Sequence, residues 1–363
     1  MKKVAIIGAG ASGLACASSF QAKDIEILVF EQFDKSARKL LATGNGRCNI
    51  SNTEMQMDFY NTNNPIISNI IMNFNVTEFF LKRKLLLKQE GTLLYPFSNQ
   101  AKSVKDCLVN CLTHTKIISQ QKVITIKHEK NGYSINTFSD RYFVDYVVLA
   151  IGSNAGIMAN QDNYQLIQNL NIPLTNCHPS LVQFVTKKVY KQLKGVRVKG
   201  QVSLYDNNQL IASRIGEIQF TDYGLSGICV MQLSRYYHQC HQPQLHIDLL
   251  PQYPNDQELL EKYGLEGIFP EKLVAVLQKE KIALKKWVMD IVETKSAPFA
   301  QVIQGGIDLN QINEDLEIKQ YPNMFAIGEV LDVDGDCGGY NLHFAFGSGQ
   351  YVAKIIEERV KKC

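Results

Sequence analysis

The chain has 363 residues, 45% of them hydrophobic and 20% charged, which suffices for two or three domains around a substantial core. Thirty-eight Lys and Arg against 35 Asp and Glu leave a formal net charge of +3, so no broad field for nucleic acid is implied and no nucleic-acid partner is expected. No apolar run is long enough to cross a bilayer, so neither a membrane span nor a membrane partner is expected.

Residues 4–7 are a short apolar run of β-forming type. Gly8, Gly10 and Gly13 follow at G-x-G-x-x-G spacing and open an apolar helix over 14–20. Gly8 permits a tight turn, Gly10 leaves room for a pyrophosphate, and Gly13 lets helix and strand pack closely. Residues 25–30 form a second apolar strand that ends at Glu31. An acid at that distance accepts hydrogen bonds from an adenosine ribose and disfavours a 2′-phosphate. Strand, turn, helix and acid agree on a Rossmann-type dinucleotide site.

Further along, helices are expected at 66–73, 76–84 and 102–113. Residues 123–127, 133–137 and 141–144 read as a β-meander, and 147–151 as a buried strand ending at Gly152. From about 180 to 250, short alternating segments indicate a β-rich domain. Helical patterns occupy 256–263, 271–278 and 285–292, punctuated by Pro251, Pro254 and Pro270. A last buried strand at 324–327 and a last helix at 342–361 return to the first sheet, so the dinucleotide domain is discontinuous.

Nine scattered cysteines without a C-x-x-C pattern indicate a reducing cytoplasm, not a disulfide framework or a zinc site. The glycine-broken apolar opening is strand and not signal sequence. Asp332, Asp334 and Asp336 resemble the start of a calcium loop. Cys337 stands at the sixth position in place of glycine and His343 at the twelfth in place of glutamate, so no metal is expected.

Five segments together resemble one family: KLLATGNGRCNISN (39–52), GTLLYPFSNQAKSV (91–104), HPSLVQF (178–184), GEIQFTDYGLSG (216–227) and AIGEVLDVDGDCGGYN (326–341). They are similar to the YhiN/BaiN-like FAD-dependent oxidoreductases, within the two-dinucleotide-binding-domain flavoproteins. The resemblance implies an α/β fold: a Rossmann-type FAD-binding domain with an inserted β-rich domain and a small helical insert. The corresponding boundaries are 1–179 with 310–363, 180–250 with 294–309, and 251–293.

The resemblance also implies site residues. Gly8, Gly10, Ala11, Ser12 and Gly13 would hold the pyrophosphate of FAD, and Glu31 with Gln32 the adenosine ribose. Lys39 and the loop Thr43, Gly44, Asn45, Gly46, Arg47, Cys48 and Asn49 would run along the cofactor, with Arg47 near phosphate or the flavin edge. Val123 would meet the adenine, with Ala150 and Gly152 close by. Gly328 and Glu329 would receive the ribityl chain, and Gly339, Tyr340, Asn341 and Leu342 would lie at the isoalloxazine. The chain departs from the family after GGYN, where Gln-Trp is common and His343-Phe344 stands here, and at Cys337, where threonine is common.

Two residues qualify as catalytic candidates. A histidine side chain ordinarily titrates near neutrality, so His343 could serve as an acid, or pack at the helix start. Cys48, next to Arg47 in a glycine loop, could be a reactive thiol or a buried one. Tyr223 and Ser226 could border a substrate, with Ser226 alternatively capping a helix over 227–234. The expected activity is hydride exchange between flavin N5 and a small organic substrate, with reduction of an activated C=C bond implied by the resemblance. NADH or NADPH would donate electrons transiently, since no second G-x-G-x-x-G is present. A flavoprotein acting on RNA and a non-catalytic redox sensor are the alternatives.

Overall fold

The computed structural model describes residues 1–362. Its residues divide into two compact units, Met1–Cys177 with Ile303–Cys363, and His178–Val302.

The first unit is built on a five-stranded parallel sheet. Its order is Met324–Ala326, Tyr146–Leu149, Lys2–Ile7, Ile25–Phe30 and Thr115–Ile118. The central strands are apolar runs instead of alternating patterns because helices and loops bury both faces. Val4, Ala5, Ile6, Val147, Val148 and Phe325 are fully buried. Helix Ala11–Ala17 packs on the last helix, Tyr340–Lys361, and a Cβ on Gly349 would lie 2.5 Å from the Ser12 carbonyl oxygen. That glycine is what lets the two backbones touch. The meander forms over Thr125–Glu129, Gly132–Asn136 and Arg141–Val144. The edge strand Thr115–Ile118 and the small sheet of Ser51–Asn52, Leu93–Pro96 and Leu87–Glu90 are not foreseen in the sequence reading. Their segments are short and half-buried, so they carry no clear period.

The second unit is a closed six-stranded barrel. Its strands run in the order Phe184–Thr186, Gly224–Ser226, Gln209–Phe220, Arg197–Asp206, Pro243–Asp248 and Trp287–Thr294. Val202, Leu204, Ile218, Leu245 and Ile247 fill its centre at full burial. Helices Asp256–Tyr263 and Glu271–Glu280 form the connection between its last two strands. The helix expected over 285–292 is instead the closing strand. Trp287 and Met289 are buried while Val288 and Val292 are exposed, a period of two. Apolar residues at 288, 289 and 292 had mimicked helical spacing. Ser226 is also corrected: it ends a strand, and Gly227, at φ +107°, starts helix Ile228–Tyr237. Only glycine fits there, because a Cβ would meet the Glu217 carbonyl oxygen at 2.1 Å.

Backbone crowding makes a test of the first turn. A Cβ on Gly13 would sit 2.0 Å from the Gly8 carbonyl oxygen, whereas one on Gly10 would meet nothing within 4 Å. Chemical denaturation of cofactor-free protein should show Gly13→Ala losing roughly 2 kcal/mol or more, with Gly10→Ala close to the parent.

Candidate functional site

The site begins where the first strand turns into the first helix. Gly8, at φ +112°, donates its N–H to the Phe30 carbonyl at 2.8 Å. A Cβ there would come 2.4 Å from the Ala150 carbonyl oxygen, so strand, turn and neighbouring strand touch through bare backbone. Gly10 faces open space instead. Helix Ala11–Ala17 starts at Gly10 with no side-chain cap and no acid in its first turn. Its first N–H groups and positive dipole end are therefore offered to an anion.

Glu31 is buried at the end of the second strand. Its Oε2 accepts from the Ala9 N–H at 3.1 Å and its Oε1 from the Phe33 N–H at 3.0 Å. Burial raises its pKa, while these bonds oppose the shift. Each oxygen keeps a lone pair, which suits a pair of ribose hydroxyls. The Gln121 N–H donates to the Glu31 carbonyl and draws the stretch containing buried Val123 alongside. Gln32 bonds Asn163, and Asn163 in turn donates to the Ser153 carbonyl.

The loop after helix Arg38–Ala42 is tightly coiled. Gly44, Asn45, Gly46 and Cys48 all have positive φ. Two of these are not glycine, so the loop is strained. Thr43 closes it by donating Oγ1 to the Leu40 carbonyl at 2.6 Å. Asn49 leaves its buried Oδ1 without a hydrogen-bond partner, and Gly46 and Gly152 face open space. An orphaned buried acceptor, open glycines and an uncapped helix start fit a bound dinucleotide.

Three distant segments meet beside this loop. Lys39 Nζ bonds both oxygens of Glu329, at 2.9 and 2.7 Å, and reaches Ser153 Oγ at 3.4 Å. Gly328, at φ +68°, is pressed against Ser12, whose Oγ would lie 2.6 Å from any Cβ. Its N–H donates to Ser348 Oγ. Lys39 and Glu329 are each expected from the sequence but their pairing is not, and neither are Ser153 and Asn163. Their position just after strand Tyr146–Leu149 was the available signal, because α/β sheets place ligands at the carboxyl ends of their strands.

The last helix starts at Gly339, φ +94°, where a Cβ would fall 2.7 Å from the Ser51 backbone. It has no side-chain cap and no acid in its first turn. The Tyr340 ring stacks on Phe59 at 4.7 Å and its hydroxyl donates to the Glu54 carbonyl. Asn341 bonds Gly335 twice, at 2.8 Å each. These two side chains hold the preceding loop, so the backbone N–H groups from Tyr340 to Leu342 are what this helix start presents.

Two catalytic expectations are corrected by this geometry. His343 is buried; its Nδ1 lies 2.7 Å from Ser51 Oγ and its Nε2 2.9 Å from the Ile71 carbonyl. The carbonyl can only accept, so Nε2 carries the proton and the ring caps the end of helix Pro65–Asn73. Burial lowers its pKa from 6.5 to about 4, which leaves a neutral structural ring and not an acid. Cys48 is fully buried and its thiol is pushed up to about 12 by desolvation, so no reactive thiolate forms near neutral pH. Arg47 bonds Glu90 at 2.6 Å and Asn99, with the Tyr95 ring 4.4 Å from its guanidinium.

The His343 pKa sets a pH dependence. The folded value lies below the unfolded one, so the unfolded chain takes up this proton first as pH falls. Stability is full above about 6.5 and drops by about 3 kcal/mol towards pH 4. Urea titrations across that range should show this part of the slope vanish in His343→Gln.

The HI0933-like protein Rossmann domain family matches residues 2–355. The 3-dehydro-bile acid delta(4,6)-reductase of Clostridium scindens is 32% identical over 99% of this chain and 100% of its own length. The ribosomal RNA dihydrouridine synthase of Haemophilus influenzae is 27% identical over 98% of each chain. Among solved structures, the quinol fumarate reductase of E. coli superposes with a TM-score of 0.53 at 11% identity, over 99% of this chain and 71% of the other, a likeness of fold. The chain belongs to the HI0933-like Rossmann-domain family of FAD-dependent oxidoreductases.

Proposed function

We propose that this protein reduces a carbon–carbon double bond conjugated to a carbonyl in a small organic molecule, with NADH or NADPH as electron donor. The end-to-end similarity to the Clostridium scindens reductase carries this reading. When bound, FAD supplies hydride exchange at N5. The uncapped start of helix Ala11–Ala17, with Gly8, Gly10 and Gly13, would hold the pyrophosphate. Glu31 would bind the adenosine ribose, with Val123 at the adenine and Gln32, Ala150 and Gly152 beside it. The Thr43–Asn49 loop would follow the cofactor, with Asn49 Oδ1 gaining the partner it lacks. The Lys39–Glu329 pair, Gly328 and Ser12 would border the ribityl chain. The start of helix Tyr340–Lys361 would turn its positive end toward the edge of the ring where negative charge accumulates on reduction.

A single G-x-G-x-x-G implies that a nicotinamide donor binds transiently and not on a turn of its own. A second reading, supported by the dihydrouridine synthase relatives, is that the substrate is a pyrimidine ring in RNA. The two relatives' names share one chemistry, saturation of a ring double bond, and differ in substrate. The redox-sensor alternative, with Cys48 or Cys337 as the responsive thiol, keeps only the partly exposed Cys337, since Cys48 is buried and its thiol pKa is raised.

Two experiments test these assignments. Flavin content after purification should fall at least tenfold in Gly10→Val while the apo protein melts as the parent does, because the added side chain enters open space. Anaerobic mixing with NADH or NADPH should bleach the flavin bands, and a steroid enone should restore them. Bleaching that only RNA reverses would favour the second reading, and no bleaching by either nucleotide would remove them as donors.

A further inference from the structure

The barrel unit holds a cleft of about 740 Å³ between the start of strand Arg197–Asp206 and helix Asp256–Tyr263. Its origin is a strand that stops short. Strand Pro243–Asp248 pairs with Arg197–Asp206 only from Gln201 onward, so residues 197–199 have a ladder partner on one side alone. Beyond Asp248 the chain turns away, with the Leu250 N–H donating to Asp248 Oδ1 at 2.8 Å. Lys285 Nζ then clasps the turn: it donates to the Leu250 and Tyr253 carbonyls at 2.7 and 2.9 Å and pairs with Asp248 at 2.9 Å. Asn255 caps the helix on the opposite wall by accepting from the Gln257 and Glu258 N–H groups. The opening is thus held by the fold, and its volume suits a small organic molecule.

The lining has two chemistries. Val198, Leu249 and Phe269 give it a buried apolar floor. Tyr253 and Tyr263 also line it, 42% and 52% exposed, so much of their ring surface is left uncovered for a flat partner. Three cations, Arg197, Lys199 and Lys262, share the cleft with one carboxylate, Glu258. Arg197 is engaged by Glu217 at 3.2 Å, and Lys188, Lys194 and Lys285 of the same unit are each paired with an acid. Lys199 and Lys262 are in no ion pair among the described residues. Glu217 stands opposite Lys199 in the ladder but is taken by Arg197. Lys262 Nζ lies 5.1 Å from the Tyr263 ring, which sets an unpaired ammonium beside an uncovered aromatic surface. One carboxylate does not balance two such ammoniums, so the cleft favours a negative group together with a ring.

We propose that this cleft binds a small aromatic anion. The ring rests on the apolar floor and the tyrosines, and the negative group meets Lys199 and Lys262. An aromatic carboxylate and a nucleotide share this chemistry. The inference stands apart from the reading of the flavin site, because every residue it uses belongs to the barrel unit.

Isothermal titration of the full-length flavoprotein tests this with three probes: 1-naphthoate, AMP and the neutral 1-naphthylmethanol. At least one of the two anions should bind saturably, about tenfold or more tighter than the neutral alcohol, and more weakly in high salt. Tighter binding of naphthoate assigns a carboxylate ligand, and tighter binding of AMP a nucleotide. Lys199→Met/Lys262→Met should weaken the favoured anion at least about tenfold with unchanged flavin content and circular dichroism. Tyr253→Ser/Tyr263→Ser should weaken it as well, while leaving its salt dependence in place. No saturable binding of either anion, equal affinity for naphthoate and the alcohol without AMP binding, or binding unchanged in the Lys199→Met/Lys262→Met variant would each overturn the proposal.

Discussion

The close approach of three backbone segments at Gly8, Gly13 and Ala150 governs the first unit. With Cβ atoms excluded at 2.4 and 2.0 Å, the first helix seats directly against the strand ends. Its N-terminus then opens at the carboxyl edge of the sheet, where Glu31, Ser153 and Gly328 also arrive. None of these groups would share a neighbourhood if the turn were wider. Gly349 repeats the device on the other side of the helix, letting Tyr340–Lys361 rest on its backbone. The final helix is thus positioned by contact with the first.

Polar groups buried in this unit divide into two kinds. Some are internally satisfied: His343 between Ser51 and Ile71, and Arg83 on the Ser18 and Phe79 carbonyls. These fix the framework, and desolvation pushes His343 and Arg83 toward their neutral forms. Others are left wanting, above all Asn49 Oδ1 and the two uncapped helix starts. An unmet buried group costs about 1–3 kcal/mol, so groups of this kind gathered on one loop and two helix ends indicate where a ligand completes the structure.

The same distinction separates motif from chemistry. GNGRCN reads as reactive because a thiol follows an arginine in a glycine loop. In the fold the arginine turns to Glu90 and Asn99 and the thiol turns inward. The loop is defined by its backbone shape, four residues with positive φ, and not by its most reactive side chains.

The sequence by itself determined the first strand–turn–helix, Glu31 and the return of the chain's end to the first sheet, because each is encoded locally by apolar runs and glycine spacing. The family resemblance extended this reading to the Thr43–Asn49 loop. Only the tertiary structure decided that residues 287–294 close a barrel, that Lys39 pairs with Glu329 across 290 positions, and that His343 is a neutral cap. A half-buried strand with apolar residues three and four apart has no unambiguous period. A side chain's protonation depends on what desolvates it and what it touches, and those neighbours come from segments far away in the chain.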